Sequence, residues 1–470
     1  MDAPGSGEDA RTPQPRTPQP RSSSPHSSAR PSSADGPAPA DPGVQDGPPP
    51  RWKIIGPGLL VAATGIGAGD LVATLVAGSR FGYTLLWAAV AGVIIKIFLV
   101  EGAGRWTLAT GLSIFEGWRR LGAWASIYFG LYIVIWGFVY GATAMSASAL
   151  PLVALIPQLP VIGDIEAITR IPLIAYAVAS GLIGAALVWL GHYRRLEKII
   201  AVLVGVMFVT VVGAAAVTVP NLGQIASGLI PRIPEGGLVY TLSIAGGVGG
   251  TITLAAYGYW LVEKGWSTPR WMKVMRLDNA MAYVLSGVFV IAMLIVGAEL
   301  LYSAGIAVGQ GDQGLVDLAG VLADRYGAVM SWVFLIGFWA SSFSSVIGVW
   351  NGVSIMFADF WGSVRGLPAD DPARRIGSRS YRFYILWLTF PPMLLLLLGK
   401  PVQIIVAYGV LGSFFMPFLA LTLLFLLNSR HVPPAWRSRA GGNIVLGIVA
   451  LIFLVLGVNQ LIDAVSTLMG

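Results

Sequence analysis

One carboxylate, a few hydroxyls and a buried-range lysine are the residues of this 470-residue chain whose types and settings suit chemistry. Asp70 closes the run TGIGAGD, in which Gly65, Gly67 and Gly69 alternate inside an otherwise apolar stretch. A second stretch, SIAGGVGGTIT, sets Gly246, Gly247, Gly249 and Gly250 ahead of Thr251 and Thr253. A carboxylate deep in an apolar segment costs about 3 kcal/mol on insertion scales, so function is its default reading. Next to glycine-loosened backbone with carbonyls free to accept, it makes a cluster of oxygen donors, and the chemistry of such a cluster is cation binding. An internal cap for the outer half of the first helix, just after the glycines, is the structural alternative, and both roles can hold at once. Thr253 suits a ligand, a supporting contact or a bond to its own backbone.

The other charged residues inside apolar runs are fewer. Lys96 and Glu101 are five apart, about 140° around a helix, so they do not face each other. Glu101 suits an ion pair with Arg105 one turn on, or a charge relay. Lys96 suits either a fixed internal charge, which repels cations or replaces a coupling ion, or a side chain that snorkels to water. Glu299 suits a cation-attracting outer vestibule or a solvated helix end. The absence of cysteine removes thiolate metal sites and thiol nucleophiles. None of His26, His192 and His431 lies in an apolar run, and no His-Glu-x-x-His, Ser/His or paired-carboxylate arrangement appears, so the chain does not read as an enzyme and implies no cofactor.

The elements that hold these residues are membrane helices. Hydrophobic residues make up 55% of the chain and charged residues 11%, against about 25% charged in a soluble domain. The apolar residues fall in continuous runs of about 20, the length that crosses a bilayer core, and continuity argues against alternating β-strands. Runs lie at about 54–79, 82–104, 124–156, 171–191, 197–219, 239–262, 279–303, 327–357, 383–399, 401–428 and 442–468, which is eleven. The third and eighth exceed one straight crossing, so tilt or extension is expected. Residues 1–50 hold 13 of the 30 prolines, the near-repeat RTPQPRTPQP and almost no large apolar residue, the composition of a disordered tail.

Connections on one side carry eighteen Lys and Arg, and those on the other carry Arg80, Arg170, Arg232, Arg325 and Lys400. The positive-inside rule then places the N-terminus in the cytoplasm and the C-terminus outside, in a plasma (inner) membrane. The net charge of +7 is thus mostly a topology signal rather than a nucleic-acid patch. The two glycine-broken runs are the first and the sixth. Paired interrupted helices at matching places in two halves point to a transporter's substrate site. Halves of five spans must be inverted relative to each other, so the expected fold is a five-plus-five inverted repeat with one added helix. Repeat one covers about 54–219, repeat two about 239–428, and the extra helix about 442–468, within a transporter domain of 51–470.

GPGLLVAATGIGAGDL, FGYTLLW, the Arg105 after the second span, YRRLEK, GLIPRIP and GGVGGTI together resemble the natural resistance-associated macrophage protein (Nramp) family of divalent-metal transporters, with Ser344–Ser345 and Pro417 fitting less specifically. The resemblance covers nearly everything after Arg51. It implies an all-α membrane protein of leucine-transporter-like fold, with interrupted helices one and six, that works by alternating access. It also implies ligands at the Thr64 and Gly250 carbonyls, at Gly67 and Asp70, and at Thr253, with Gly69, Thr251 and Ala255 in support.

This chain departs from the family where the site should be. Typical members carry Asp-Pro-Gly-Asn in the first helix, and here the stretch is Gly67-Ala68-Gly69-Asp70, which moves the acid to the asparagine position. Their Met-Pro-His in the sixth helix is Thr253-Leu254-Ala255 here. Losing the thioether shifts preference from soft metals toward Mg, Ca or Mn. Their paired acids of the third helix and the histidines after the sixth-helix break are missing, which speaks against tight proton symport. These losses resemble the Nramp-related magnesium transporters, which implies a roomier site for a partly hydrated ion. The expectation is therefore import of divalent cations, Mg2+ first and Mn2+ second, with the bilayer and the ion as partners and no obligatory protein partner. Two alternatives are a proton-coupled Mn2+/Fe2+ transporter and a sodium-coupled carrier of a small organic solute with Ser344 and Ser345 at the sodium site. A non-transporting sensor is disfavoured by Asp70.

Overall fold

The computed structural model describes residues 56–66, 70–155, 165–190, 193–247, 250–303, 305, 313–398 and 400–469. The proline-rich tail expected over 1–50 lies outside them.

All the regular structure among the described residues is helical. The first apolar run is two helices, α1 (Pro57–Ile66) and α2 (Asp70–Phe81). Then come α3 (Leu86–Thr110), the short α4 (Ile114–Leu121), α5 (Ala123–Leu155) and α6 (Ile165–Leu190). The fifth run is α7 (Tyr193–Met207), a π-helical turn over Phe208–Val212, and α8 (Gly213–Val217). After α9 (Leu222–Gly228), the second broken run gives α10 (Leu238–Gly247) and α11 (Thr253–Glu263). Next are α12 (Met272–Val296), which passes into a π-helical stretch over Gly297–Tyr302, then α13 (Gln313–Tyr326) and α14 (Ala328–Val364). The chain ends with α15 (Arg379–Thr389), α16 (Met393–Leu396), α17 (Pro401–Leu427) and α18 (Ala440–Met469).

Eight uninterrupted helices among the described residues are long and apolar enough to cross a membrane. The sixth and ninth crossings are each assembled from two shorter helices, and the first is described as α1 and α2 on either side of residues 67–69. The ninth differs from its expectation as one run, because Pro391 and Pro392 separate α15 from α16, and proline removes the donor and clashes with the preceding turn. The seventh begins at Met272 rather than near 279, and the eighth runs on to Val364 rather than 357. Both extensions carry polar residues that are buried and bonded (Asp278 in one, Asp359 and Ser363 in the other), so they continue the helix without adding hydropathy. At 37 residues α14 is about 55 Å long, well beyond a 30 Å hydrocarbon core. The amphipathic α4 and the polar α9 and α13 escaped a search for apolar runs.

The core sits around α14, most of which is buried, while the described part of α18 is little buried and lies at the edge. Ion pairs tie four of the basic connections together. Glu101 meets Arg105 at 3.1 Å and Arg276 at 2.9 Å; Lys264 meets Glu197; and Arg374 meets Glu116 at 2.6 Å and Asp359 at 2.5 Å.

The start of α1 is held from 220 residues away. Asp278, on α12, accepts from Gly56 N at 3.0 Å and Gly58 N at 2.7 Å, and Tyr257 Oη of α11 donates to the same carboxylate at 2.9 Å. Helix N-termini leave their first donors unpaired, and a carboxylate there meets both the donors and the dipole. A Cβ on Gly58 would lie 2.7 Å from Asp278 Oδ2, so glycine is required for the approach. Asp278→Asn loses charge and presents a donor to a donor. Its expected result is faster amide exchange over 57–66, by about ten- to hundredfold, with the rest of the bundle unchanged. Unchanged exchange there would mean that packing alone holds α1.

Candidate functional site

The two breaks are positioned by a chain of polar contacts that crosses the bundle. Ser345 Oγ, on α14, donates to the Thr64 carbonyl at 2.6 Å, near the end of α1. Its one proton is then spent, so the 2.6 Å contact with Tyr140 Oη has the phenol as donor. Tyr140 stacks on Trp136, one turn earlier on α5, with centroids 4.5 Å apart and planes 7° off parallel. Trp136 Nε1 donates at 3.0 Å to Thr251 Oγ1, just past the second break, and Tyr408 of α17 stands 3.5 Å from that same hydroxyl. Helices α5, α14 and α17 thus clamp both interrupted helices through groups buried from water.

The second break is shaped by glycine and by a lysine. Gly250 has φ +92°, a region that residues with a side chain rarely enter. Lys96 reaches across from α3, fully buried, and its ammonium donates to the Gly246 carbonyl at 2.8 Å and to the Gly250 carbonyl. It does not snorkel, because carbonyls at the end of α10, which have no helical partner, take its protons where it stands. Thr253 opens α11 with 1% of its surface exposed, and its hydroxyl has no hydrogen-bond partner. It therefore does not bond to its own backbone, unlike Thr64 Oγ1, which donates to Val61 O at 2.6 Å.

Of the remaining expected residues, Gly67 and Gly69 lie outside the described residues, and for Asp70 only the backbone, at the start of α2, is described. Ala255 is fully buried one residue beyond Leu254 in α11. Ser344 Oγ turns back to Ser341 O at 2.7 Å, so the two adjacent serines do different things: only Ser345 reaches the first break. Glu101 is held by Arg105 and Arg276 in the basic connections, away from the helix-six carbonyls that hold Lys96. Glu299 accepts from Tyr83 Oη and, at 3.4 Å, from Asn221 N, which ties the π-helical end of α12 to two other segments rather than leaving a solvated end. No cluster of three or more His, Cys, Asp or Glu side chains occurs among the described residues.

A second polar region lies below α11. A cavity of about 400 Å³ is lined by Ser113, Glu116, Tyr259, Glu263, Asp359 and Arg374 among others. Asp359 accepts from Ser113 Oγ at 2.7 Å, Tyr259 Oη at 2.6 Å and Arg374 Nε at 2.7 Å. Burial works against the charge of Arg374, but Asp359 and Glu116 more than offset it, and its pKa is raised. Sequence reading missed this cluster, along with Trp136, Tyr140 and Tyr408. Aromatic and charged residues at helix ends carry no local mark of their partners.

A family model described as natural resistance-associated macrophage protein-like matches residues 58–463. The divalent metal cation transporter MntH of Mycobacterium leprae is 26% identical over 401 residues, covering 81% of this chain and 84% of that relative. MntH of Staphylococcus aureus is 23% identical over 448 residues, with 89% and 92% covered. Among solved structures, the Eremococcus coleocola manganese transporter with a bound bis-isothiourea compound aligns with a TM-score of 0.69 at 16% identity, over 91% of this chain and 90% of that one. MhsT in complex with L-phenylalanine aligns at 0.54 and 15% identity, over 85% and 98%. These structural likenesses speak for the fold: the leucine-transporter-like arrangement with interrupted first and sixth helices.

Proposed function

The chain belongs to the Nramp family, and from that premise we propose that it is an alternating-access carrier that imports divalent metal cations, Mg2+ in preference to Mn2+, without tight proton coupling. The observation that carries the preference is Thr253. Where typical members place a thioether, this chain has a buried hydroxyl with no partner at the head of α11. A site of carboxylate, hydroxyl, carbonyl and water suits hard ions. Mg2+ in particular keeps several waters and needs only one or two carboxylates. The absence of acid and histidine from Ala123–Leu155 supports the lack of a proton relay.

The proposed topology puts the basic connections and the 1–50 tail in the cytoplasm, so that the cavity below α11 lies on the exit side. Two rivals have specific support. The manganese transporter named among the similar structures speaks for Mn2+ as the cargo of the proton-coupled alternative. The 2.6 Å contact of Ser345 with the Thr64 carbonyl brings together two oxygens that a sodium site would use.

Uptake into proteoliposomes, comparing Mg2+, Mn2+ and Ca2+ with internal pH recorded and Na+ present or absent, tests all three. The expected result is saturable Mg2+ entry with no acidification and no need for Na+. Mn2+ entry with acidification and no Mg2+ entry would overturn the preference and the coupling together. A strict Na+ requirement lost in Ser345→Ala would favour the sodium reading.

A further inference from the structure

Divalent-cation transport leaves Lys96 unexplained. Its ammonium is buried against the second broken helix, with Nζ 2.8 Å from Gly246 O and bonded also to Gly250 O. The end of α10 carries the negative pole of its helix dipole. Its last carbonyls lack intrahelical partners. Gly250, at φ +92°, holds its carbonyl in a direction that other residue types would not keep. A metal cation entering the second break would look for these same oxygens.

We propose that Lys96 is a tethered cation that holds the helix-six half of the site and competes with the transported ion for the Gly250 carbonyl, so that it sets the affinity of the carrier. This rests on the divalent-cation reading of the site. Two consequences follow from charge alone. Two cations in contact with one carbonyl repel each other strongly in a water-poor site, so ion entry requires the ammonium to withdraw. When the ion leaves, the ammonium returns and satisfies the carbonyls, so the empty carrier never exposes unpaired backbone acceptors inside the bundle.

Lys96→Gln keeps a donor of similar reach and removes the charge. Its expected effect is a fall in the apparent KM for Mg2+ of at least about tenfold, equivalent to ~1.4 kcal/mol. The maximal rate should fall too, because the ion leaves a stickier site and the empty carrier loses its internal occupant. Lys96→Arg keeps the charge and should stay within a few-fold of the wild-type KM. Uptake in proteoliposomes is measured alongside Mg2+ calorimetry on the purified protein, with gel filtration as the check on folding.

Wild-type uptake with an unchanged KM in Lys96→Gln overturns the tethered-cation role and leaves the metal reading standing. No divalent uptake in either overturns both. A measurement on the wild type keeps the test open if the variant does not fold. Saturating Mg2+ should raise reductive methylation of Lys96, read by mass spectrometry, as the ammonium leaves its carbonyls. Labelling that Mg2+ leaves unchanged overturns the proposal.

Discussion

Asp70→Ala abolishes saturable divalent-cation uptake while the protein still folds. At the two breaks, Asp70 is the acid on which a cation would depend, since the described residues offer hydroxyls and carbonyls but no cluster of acids. The expected loss in kcat/KM is about a hundredfold or more, the equivalent of ~2.8 kcal/mol. Since Asp70 begins α2, capping has to be separated from charge. Asn is as good an N-terminal cap as Asp. Asp70→Asn should therefore keep the stability of the wild type and lose uptake nearly as fully as Asp70→Ala. Wild-type-like uptake in either variant would sink the site assignment.

The largest expected loss of stability comes from Arg374. Its side chain is 2% exposed, against 6% for Asp359 and 16% for Glu116. Through Nε and a terminal nitrogen it binds Asp359, through the same terminal nitrogen Glu116, and through the other the Leu367 carbonyl at 3.1 Å. Breaking a buried pair by removing one partner typically costs 3–5 kcal/mol, because a buried charge is left uncompensated. Arg374→Met should lose about that much, detected as a large drop in melting temperature of the detergent-solubilised protein. Asp359→Asn in the same background should restore part of it, since the acid left stranded is then neutral. Asp359 keeps Ser113 and Tyr259 as donors, so the rescue should be incomplete without a change at Glu116. A loss below ~1 kcal/mol would show that water enters the cavity beside the cluster and solvates the acids. The same ties fasten α4 and the 372–374 turn to α14, so a mild variant should also loosen the proposed exit side.

Much of the fold was legible without coordinates, for local reasons. The length of an apolar run is a property of adjacent residues, and the bilayer imposes it. The cost of glycine in a helix is likewise local, so the run around Gly246–Gly250 marked the break that separates α10 from α11. The split at Pro391–Pro392 was equally local and was overlooked only because the run around it is apolar. Polar residues that extend helices beyond their apolar runs, such as Asp278 and Asp359, were not legible. Their cost is removed by partners far away in the chain.

For the candidate site the division is sharper. The sequence by itself determined the donor types: one acid beside the first break, threonines beside the second, no sulfur ligand and no histidine in any span. It also determined that Lys96 lies within a span. Only the tertiary structure decided what Lys96 and the hydroxyls do. Lys96 is bonded to carbonyls 150 and 154 residues away, and Ser345 to a carbonyl 281 residues away. Trp136 reaches Thr251 across 115 residues. Whether a buried donor snorkels, bonds to its own helix or serves a distant break depends on which oxygens packing brings within about 3 Å, and no local property of the chain encodes that distance.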